Sequence, residues 1–419
     1  MRRNLTRVRT RTPTGTVPES FGAGFSLAPS PIRMAGGERY RMSGVLLAVD
    51  IGAGEGAKLG LFRTLEKPFA EGLLPRERYG NTFGSFVEAL TLSIDALLEA
   101  HRIERREVEA CGIACPGILR SDGTFQLVQN LQHWIGHNLP AALRAYLDCP
   151  VSIENDANAG GLAEWSVLRL ELLYWVFGGG WGGAWISRGG QVRFPVLDWD
   201  GRDESLHYTN EPGYAIPLDK LKLKMAFHEV GGLYERFEQQ LVEELSPPGG
   251  VLTGPCGNPD TLRAETVLSG PGRCRLFRAL VADDDFYERF LDIHEAREMS
   301  DPATAGRHIS KLSSMRVEAA VNTDRLYGKI LAMATRIMLK AAYRDGMEEN
   351  LPICLGGKPS YALPYFGPSA QRAMGRLGIL NYLRPSVIDE RGSNANLVGA
   401  AVVAQSIREG APVRAPQAR

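Results

Sequence analysis

The segment at residues 154–159 carries the residue types that a catalyst of hydroxyl chemistry needs. It lies where a short apolar strand, 151–154, gives way to a helical pattern over 157–168. A carboxylate at such a junction can point into a cleft and take a proton from a substrate hydroxyl, so Asp156 is a candidate general base. Asn155 can donate and accept hydrogen bonds with neighbouring hydroxyls. Asp156 can also be a helix N-cap, and the local sequence alone slightly favours the capping role over the catalytic one.

A second chemical pattern is the glycine-rich turn after Asp50. Asp50 follows the apolar run 45–49, which predicts a buried strand, and three glycines come next: Gly52, Gly54 and Gly56. Glycine lets backbone N–H groups approach a phosphate without an intervening Cβ. Asp50 is placed to hold a hydrated Mg²⁺. A plain β-hairpin turn explains these residues equally well, and no Walker A sequence occurs in the chain.

A third pattern is the glycine run at 178–183. It satisfies G-x-G-x-x-G, but residues 184–187 after it read as a strand rather than a helix, which is the wrong context for a dinucleotide site. The run is better interpreted as a hairpin whose turn faces phosphates, through Gly178, Gly179, Gly180 and Gly182. The alternative is a flexible turn plugged by the aromatic ring of Trp181.

Two isolated carboxylates complete the candidate chemistry. Glu211 lies in Asn-Glu-Pro-Gly-Tyr, and Glu265 follows an alanine. Singly, each is more often a solvated surface residue. Recognition of a polyhydroxyl compound needs several carboxylates and amides that converge, because each hydroxyl can donate a hydrogen bond.

The elements that must position these residues alternate between strands and helices. Ser85 with Glu88 predicts a capping box that opens a helix. The strongest helical stripe covers 326–341, and a final helix is predicted over 396–407. A strand at 353–355 precedes a glycine pair. Strands interleaved with helices predict an α/β fold.

Composition excludes several classes of protein. The 419 residues contain 48 Lys plus Arg and 48 Asp plus Glu, so no global field would attract a nucleic acid. No apolar stretch reaches the about 20 residues that a spanning helix needs. The six cysteines are scattered without a C-x-x-C pair, which favours reduced thiols and a cytoplasmic location. The sequence thus predicts no nucleic-acid partner and no membrane association.

Residues 1–44 differ from the rest of the chain. They hold eight arginines and only two glutamates, with no apolar periodicity. Such composition fits a basic arm or a transit peptide. A disordered basic extension is the preferred interpretation, because no apolar face exists to fold it.

The order of these segments resembles the glucokinase and ROK sugar-kinase group of the actin/Hsp70/hexokinase superfamily. The resemblance spans about residues 45–407, in six patches that keep the order of the family. These patches are 50–52, 112–117 with 130–134, 154–164, 265–272, the pair 356–357 and 399–401.

The resemblance implies a two-domain, actin-like ATPase fold of the α/β class, also described as ribonuclease-H-like, with a cleft between the domains. The small N-terminal domain would cover 45–165 and be completed by the helix 396–407. The large domain would cover 166–395, leaving 408–419 as a tail. The domains would close over the substrate and exclude water, so that ATP is not simply hydrolysed.

The resemblance also implies roles for individual residues. Asp156 would be the general base of an ATP-dependent kinase, and Asp50 would lie near Mg²⁺ and bind it through water. The predicted substrate ligands are Asn155, Glu211, Tyr214, Glu265 and Asn130. The predicted nucleotide-binding residues are Asp50, Gly52, Gly54, Gly178, Gly179, Gly180, Gly182, Gly356 and Gly357.

The chain departs from the family pattern at four places. The family usually has Gly-Thr after its first Asp-x-Gly, where this chain has Ala53 and Gly54. The family usually has Thr where Trp181 stands, so a hydroxyl donor to phosphate is missing. Tyr214 replaces a histidine that contacts the sugar and, in many members, a structural zinc. Cys256 stands alone where a zinc motif has several cysteines, so no zinc site is predicted. The change at Tyr214 favours a modified sugar or a sugar-like cyclitol over glucose as the substrate.

Two further expectations remain open at this level. A non-catalytic sugar-binding or regulatory relative with degraded phosphate hairpins is the alternative to a kinase. Relatives of this kind are often dimers, so a homodimer is one arrangement that the resemblance implies.

Overall fold

The computed structural model describes residues 44–52, 56–128, 131–194, 211–281 and 302–414. Several sequence-based predictions concern residues outside these ranges. They are Gly54, Asn130, all but the last residue of the extension 1–44, and the last five residues of the tail 408–419.

The described strands and helices alternate along the chain. The strands, β1 to β14 in chain order, are Val45–Ile51, Gly56–Phe62, Ala70–Pro75, Val108–Cys115, Ile118–Leu119, Phe125–Leu127, Val151–Asn155, Leu172–Phe177, Trp181–Ile186, Val192–Arg193, Pro217–Asp219, Thr261–Arg263, Pro352–Gly356 and Tyr382–Pro385. The helices, α1 to α12, are Phe83–Ala100, Leu139–Leu147, Asp156–Leu168, Pro212–Ala215, Lys220–His228, Tyr234–Leu245, Gly270–Leu280, Pro302–Ser314, Glu318–Arg344, Leu363–Arg376, Val387–Glu390 and Ala395–Arg408.

Two five-stranded mixed sheets form the framework. One has the strand order β3-β2-β1-β4-β7 and the other β10-β9-β8-β13-β14. Each contains an antiparallel hairpin, β1–β2 or β8–β9, followed by strands that run parallel to the first strand of the hairpin. The predicted α/β class is confirmed.

Helices α3 and α12 lie between the sheets. In β1, Leu46 and Ala48 face a cluster that contains α12, whereas the alternate residues Leu47 and Val49 face the cluster around α1. Both faces of the strand are therefore buried, which is why its sequence is a continuous apolar run. Helix α12 packs on β1 and β4, and α3 packs on β8 and β9. The two helices also contact each other, so the start of α3 is held against a rigid layer.

Glycines allow this close packing. A Cβ added to Gly399 in α12 would lie 1.9 Å from the carbonyl oxygen of Ala159 in α3. We expect Gly399→Ala to lower the free energy of unfolding by about 1–3 kcal/mol, because an overpacked contact between backbones cannot relax easily. Chemical denaturation of both proteins would measure the change.

The matched control is Gly375→Ala, also in a helix. A Cβ there meets nothing within 4 Å, so this variant should be as stable as the original or slightly more stable. Equal stability of the Gly399 and Gly375 variants would contradict the packing argument.

Two predicted boundaries need correction. Helix α1 begins at Phe83, and Thr82 is its N-cap: the Thr82 side chain accepts a hydrogen bond from the Ser85 N–H at 3.1 Å. The predicted capping box of Ser85 with Glu88 is therefore wrong by three residues, since Ser85 is the third residue of the box rather than its cap. Strand β9 begins at Trp181, so only residues 178–180 form the turn that was predicted over 178–183.

The predicted stripe over 326–341 is confirmed within α9, where Leu326, Ile330 and Ala341 are buried. In the ranges that the structure describes, no helix combines the length and the apolar character needed to cross a membrane.

Candidate active site

The turn from β7 into α3 presents Asp156 to a cavity. Asn155 is the N-cap of α3: its Oδ1 accepts hydrogen bonds from the N–H groups of Ala157, at 2.9 Å, and Asn158, at 3.2 Å. The alternative role of Asp156 as the N-cap is therefore wrong. Asp156 is the first residue of the helix, where its Oδ1 accepts from the Ala157 N–H at 2.8 Å. Its carboxylate is placed for a task other than capping.

The cavity next to Asp156 has a volume of about 220 Å³ and collects most of the predicted site residues. Its lining includes Asp156, Glu211, Tyr214, Glu265, Gly178, Gly179, Gly180 and Gly182. Carboxylates from three different elements thus converge beside the glycine turn. The convergence that polyhydroxyl recognition needs was predicted for these residues, and the geometry provides it.

Asn155 orients one of these carboxylates. Its Nδ2 donates to the carbonyl oxygen of Gly117 at 3.0 Å and to Oε1 of Glu211 at 3.1 Å. The amide is therefore satisfied on both sides by protein groups. A hydroxyl that approached Asn155 would have to share or replace its contact with Glu211.

Burial and mutual repulsion alter the acidity of the carboxylates. Burial, with the nearby charge of Asp50, raises the pKa of Asp156 to about 6, although the Ala157 N–H opposes the shift. Burial, with the charge of Asp156, raises the pKa of Glu211 to about 8. In its ionised form Asp156 can accept a proton, and in its protonated form Glu211 can donate a hydrogen bond.

Glu265 has a different environment. Burial raises its pKa, but the positive charges of Arg263 and Arg275 oppose the shift. Arg263 also lies over the ring of Tyr214, with its Cζ 3.6 Å from the ring centroid. Neither arginine was predicted as a site residue, because no pattern in the sequence distinguishes them from surface residues.

Asp50 lies at the end of β1 and is 7% exposed. Its Oδ2 accepts a hydrogen bond from Nδ2 of Asn394 at 3.0 Å, and Asn394 is also the N-cap of α12. Asp50 and Asp156 are close enough for one charge to raise the pKa of the other. A hard cation between such carboxylates would relieve this repulsion, so the donor set fits a largely hydrated Mg²⁺.

The first hairpin is only partly described. The N–H of Gly52 donates to the carbonyl oxygen of Gly56 at 3.0 Å and closes the turn, while Gly54 lies outside the described residues. Lys58 on β2 pairs in register with Asp50. The predicted phosphate contacts of this turn remain predictions.

The second hairpin places Trp181 as an aromatic plug. The Trp181 side chain is buried in the core, where it stacks on Phe177 and meets Trp175 edge-on. Trp181 also contributes to the lining of the cavity, so an aromatic residue stands where a hydroxyl donor is missing. The turn itself consists of three glycines, 178–180, so any hydrogen bonds that it gives to a phosphate come from the backbone.

Space beside this turn is open. A Cβ added to Gly178 or Gly179 would meet nothing within 4 Å, and neither residue has a positive φ. Neither packing nor backbone conformation requires glycine at these two positions. Close approach of a ligand to the backbone is a physical reason for glycine there.

The pair Gly356 and Gly357 lies beside the same hairpin, because β13 runs parallel to β8 with Gly356 opposite Val176. Gly357 has a φ of +81°, and a Cβ there would lie 2.0 Å from the carbonyl oxygen of Phe177. The N–H of Gly357 donates to Oδ2 of Asp389 at 3.3 Å. Burial raises the pKa of Asp389 to about 6. Asp389 was not predicted as a site residue from the sequence.

A buried carboxylate connects this region to α3. Glu164 is completely buried and accepts hydrogen bonds from the N–H groups of Val387, at 3.0 Å, and Ile388, at 3.2 Å, at the start of α11. Helix α11 carries Asp389. Glu164, the last residue of the patch 154–164, therefore fixes the segment that contacts the glycine pair. The sequence did not reveal this structural role.

Among the described residues, no group of three or more His, Cys, Asp or Glu could hold a metal ion. The side chain of Cys256 is outside this description. The prediction that the chain has no zinc site therefore stays a prediction.

Comparisons with known proteins agree with the fold. Residues 47–192 match the ROK family. A ROK family glucokinase from Streptomyces griseus, solved in complex with glucose and AMPPNP, superposes with a TM-score of 0.57 at 19% identity, covering 87% of this chain and 100% of that one. A ROK hexokinase from Thermus thermophilus gives the same TM-score and identity and covers 87% and 99%.

The same fold also serves a regulator. A ROK family transcriptional regulator, a homologue of the E. coli MLC protein, has a TM-score of 0.58 at 17% identity and covers 87% of this chain and 79% of that one. No curated protein matches the chain in sequence. The predicted resemblance to the ROK sugar-kinase group is confirmed, in sequence over residues 47–192 and in fold over most of the chain.

Proposed function

We propose that the protein is a kinase that transfers the γ-phosphoryl group of Mg-ATP to a hydroxyl of a sugar or a sugar-like cyclitol. The observation that carries the proposal is the position of Asp156. Its ionisable carboxylate shares one cavity with Glu211, Glu265 and an open glycine turn. Acceptor recognition, proton removal and phosphate approach can therefore take place in the same space.

In the proposed reaction, the acceptor hydroxyl donates a hydrogen bond to Asp156 and gives up its proton as its oxygen attacks phosphorus. Glu211 and Glu265 bind other hydroxyls, and Asn155 and Tyr214 complete the acceptor site. The turn 178–180 lies beside the phosphates. Catalysis is mainly positioning and charge neutralisation, as in other phosphoryl transfers.

Nucleotide binding is assigned to the two hairpins and the glycine pair 356–357. Asp50 would hold Mg²⁺ through water, and the ion would neutralise charge on the transferred phosphoryl group. We also propose two domains, 45–165 with 396–407 and 166–395, that close over the acceptor. The cytoplasm is the compartment we propose, because the five cysteines whose side chains the structure describes form no disulfide.

Tyr214 supports an acceptor other than plain glucose. Its ring carries the guanidinium of Arg263 on one face, which gives this part of the site a shape and charge unlike an imidazole. We expect at least one amino sugar, substituted hexose or cyclitol to be phosphorylated faster than glucose. ADP release with Mg-ATP across such a panel would measure the preference.

The control for this prediction is Tyr214→Phe, which keeps the ring over Arg263 and removes only the hydroxyl. If that hydroxyl binds the acceptor, the KM for the preferred acceptor should rise about threefold to tenfold with little change in kcat. Glucose turnover that equals or exceeds every other acceptor would contradict the assignment of substrate class.

A sugar-binding protein without catalysis is the second candidate. Two observations favour it: the turn 178–180 offers no side-chain hydroxyl, and the regulator described above shares the fold. The same panel separates the candidates. Saturable sugar binding by calorimetry without any ADP release would support the binding protein and reject the kinase.

A further inference from the structure

The carboxylate directly before the candidate site is held from the far end of the described chain. Glu154 is 1% exposed and accepts four hydrogen bonds. Its Oε1 accepts from the N–H of Asn155 at 2.9 Å and from Nδ2 of Asn158 at 2.8 Å. Arg414 donates the other two, from Nε to Oε2 at 2.7 Å and from a terminal nitrogen to Oε1 at 2.8 Å.

Arg414 also belongs to a backbone contact with the other sheet. The Val192 N–H donates to the carbonyl oxygen of Val413 at 3.0 Å, and Val192 forms a parallel bridge with Arg414. Val192 lies in β10, an edge strand of the second sheet, whereas Glu154 lies in β7, an edge strand of the first. Residues 413–414 therefore connect the two sheets at the turn that carries Asp156.

The buried charge of Glu154 depends on its contact with Arg414. A carboxylate removed from water is costly unless a cation and good hydrogen bonds compensate it. The planar guanidinium of Arg414 supplies two parallel donors, which fixes the carboxylate in direction as well as in charge. Without Arg414, Glu154 would turn towards water and release its contacts with Asn155 and Asn158, which flank Asp156.

We propose that Arg414 is a positioning residue for the candidate catalytic turn. It holds Glu154, and through Glu154 it fixes the backbone and side chains on both sides of Asp156 relative to the second sheet. The segment 411–414, predicted to be only part of a tail, is thus a strap that completes the site. The expected effect on catalysis rests on the kinase function proposed above, whereas the effect on local order does not.

Arg414→Ala should lower kcat for the preferred acceptor about 10–100-fold, because a small misplacement of a catalytic group has effects of this size. The KM for ATP should change less than about threefold, since Arg414 touches neither hairpin. Guanidinium at low millimolar concentration should restore part of the lost kcat, because the side chain of Arg414 is 29% exposed and its place can be reached from solvent. A general loss of fold would not be rescued in this way.

The matched control is Arg408→Ala. Arg408 pairs with Glu109 at 2.9 Å, its side chain is 24% exposed, and it contacts no residue of the candidate site. We expect the kcat of Arg408→Ala to stay within about twofold of that of the original protein and not to change when guanidinium is added. Arg414→Lys keeps the positive charge but cannot give two parallel hydrogen bonds, so its kcat should lie between those of the original protein and Arg414→Ala. It also provides a test if the alanine variant does not fold.

Amide hydrogen exchange tests the strap without any assumption about catalysis. Peptides covering 154–160 should exchange faster in Arg414→Ala and Arg414→Lys than in Arg408→Ala. Unchanged exchange there, or an active original protein whose kcat is unaffected by both Arg414 variants, would overturn the proposal. Faster exchange together with an original protein that has no kinase activity would support the strap and reject the kinase instead.

Discussion

Asp156→Asn is expected to lower the kcat of phosphoryl transfer by roughly 10²–10⁴-fold, the usual contribution of a general base. The amide has the same shape as the carboxylate, and its carbonyl oxygen can still accept the hydrogen bond of the Ala157 N–H, which is 2.8 Å long in the structure. It cannot take a proton from the acceptor. Acceptor affinity measured by calorimetry should therefore change far less than kcat.

The control distinguishes a base from a helix cap. Asp219 is the N-cap of α5, where its Oδ1 accepts a hydrogen bond from the Lys222 N–H at 2.8 Å. Asn serves as well as Asp at an N-cap, so Asp219→Asn should keep full activity. If Asp156→Asn were equally harmless, Asp156 would have a structural role and the proposed mechanism would be wrong.

The pH dependence of kcat follows from the same residue. Burial and the charge of Asp50 raise the pKa of Asp156 to about 6, and only the ionised form can act as a base. The kcat should therefore fall at acid pH, and Mg²⁺ bound near Asp50 should move this fall below pH 6, because the ion relieves the repulsion that helps to raise the pKa. A profile that stays flat down to pH 4.5 would show that this carboxylate takes no proton in the rate-limiting step.

Arg273→Ala should have the largest effect on stability, about 3–5 kcal/mol in the free energy of unfolding. Arg273 and Asp324 are each 2% exposed, and the Arg273 Nε donates to Oδ1 of Asp324 at 3.0 Å. Nη2 of Arg273 donates to the same oxygen at 2.8 Å, and Nη1 donates to the carbonyl oxygen of Gly306 at 2.9 Å. The pair thus joins α7, α8 and α9, and its loss would leave a buried carboxylate without its cation. Urea denaturation would measure the change.

Two further variants check this explanation. Arg106 pairs with Glu104 on the surface, with 82% and 63% of the side chains exposed, so Arg106→Ala should change stability by less than about 1 kcal/mol. Replacing both partners, as Arg273→Met with Asp324→Leu, should be less harmful than Arg273→Ala alone, because no charge is left buried. Equal losses in both would indicate lost packing rather than a stranded charge.

Local sequence patterns predicted the framework of the fold well. The run 45–49 is apolar at every position, and a strand buried on both faces requires this pattern. The stripe over 326–341 follows the helical period, and it lies within α9. These patterns depend on burial alone. A buried position requires an apolar residue, and the type of each residue can be read directly from the sequence.

The boundaries and the site contacts were harder to predict. The capping box was assigned to Ser85, although Thr82, three residues earlier, offers the same capping chemistry. Only the packed helix selects Thr82 as the N-cap. The sequence left open whether Trp181 lies in a phosphate turn or acts as an aromatic plug, and the alternation along β9 directs its side chain into the core. Arg414 and Asn394 contact Glu154 and Asp50 across most of the chain, and no local pattern encodes such pairs.

The position of α12 has a consequence for the biosynthesis of the protein. This helix covers β1 and β4, and its N-cap Asn394 binds Asp50, 344 residues earlier in the chain. One apolar face of the first sheet therefore stays exposed during synthesis until α12 has left the ribosome. Contacts between such distant residues form slowly, and exposed sheets invite aggregation. The nascent chain should thus depend on chaperones until α12 has been synthesised, and the turn that carries Asp50 would reach its final contacts only then.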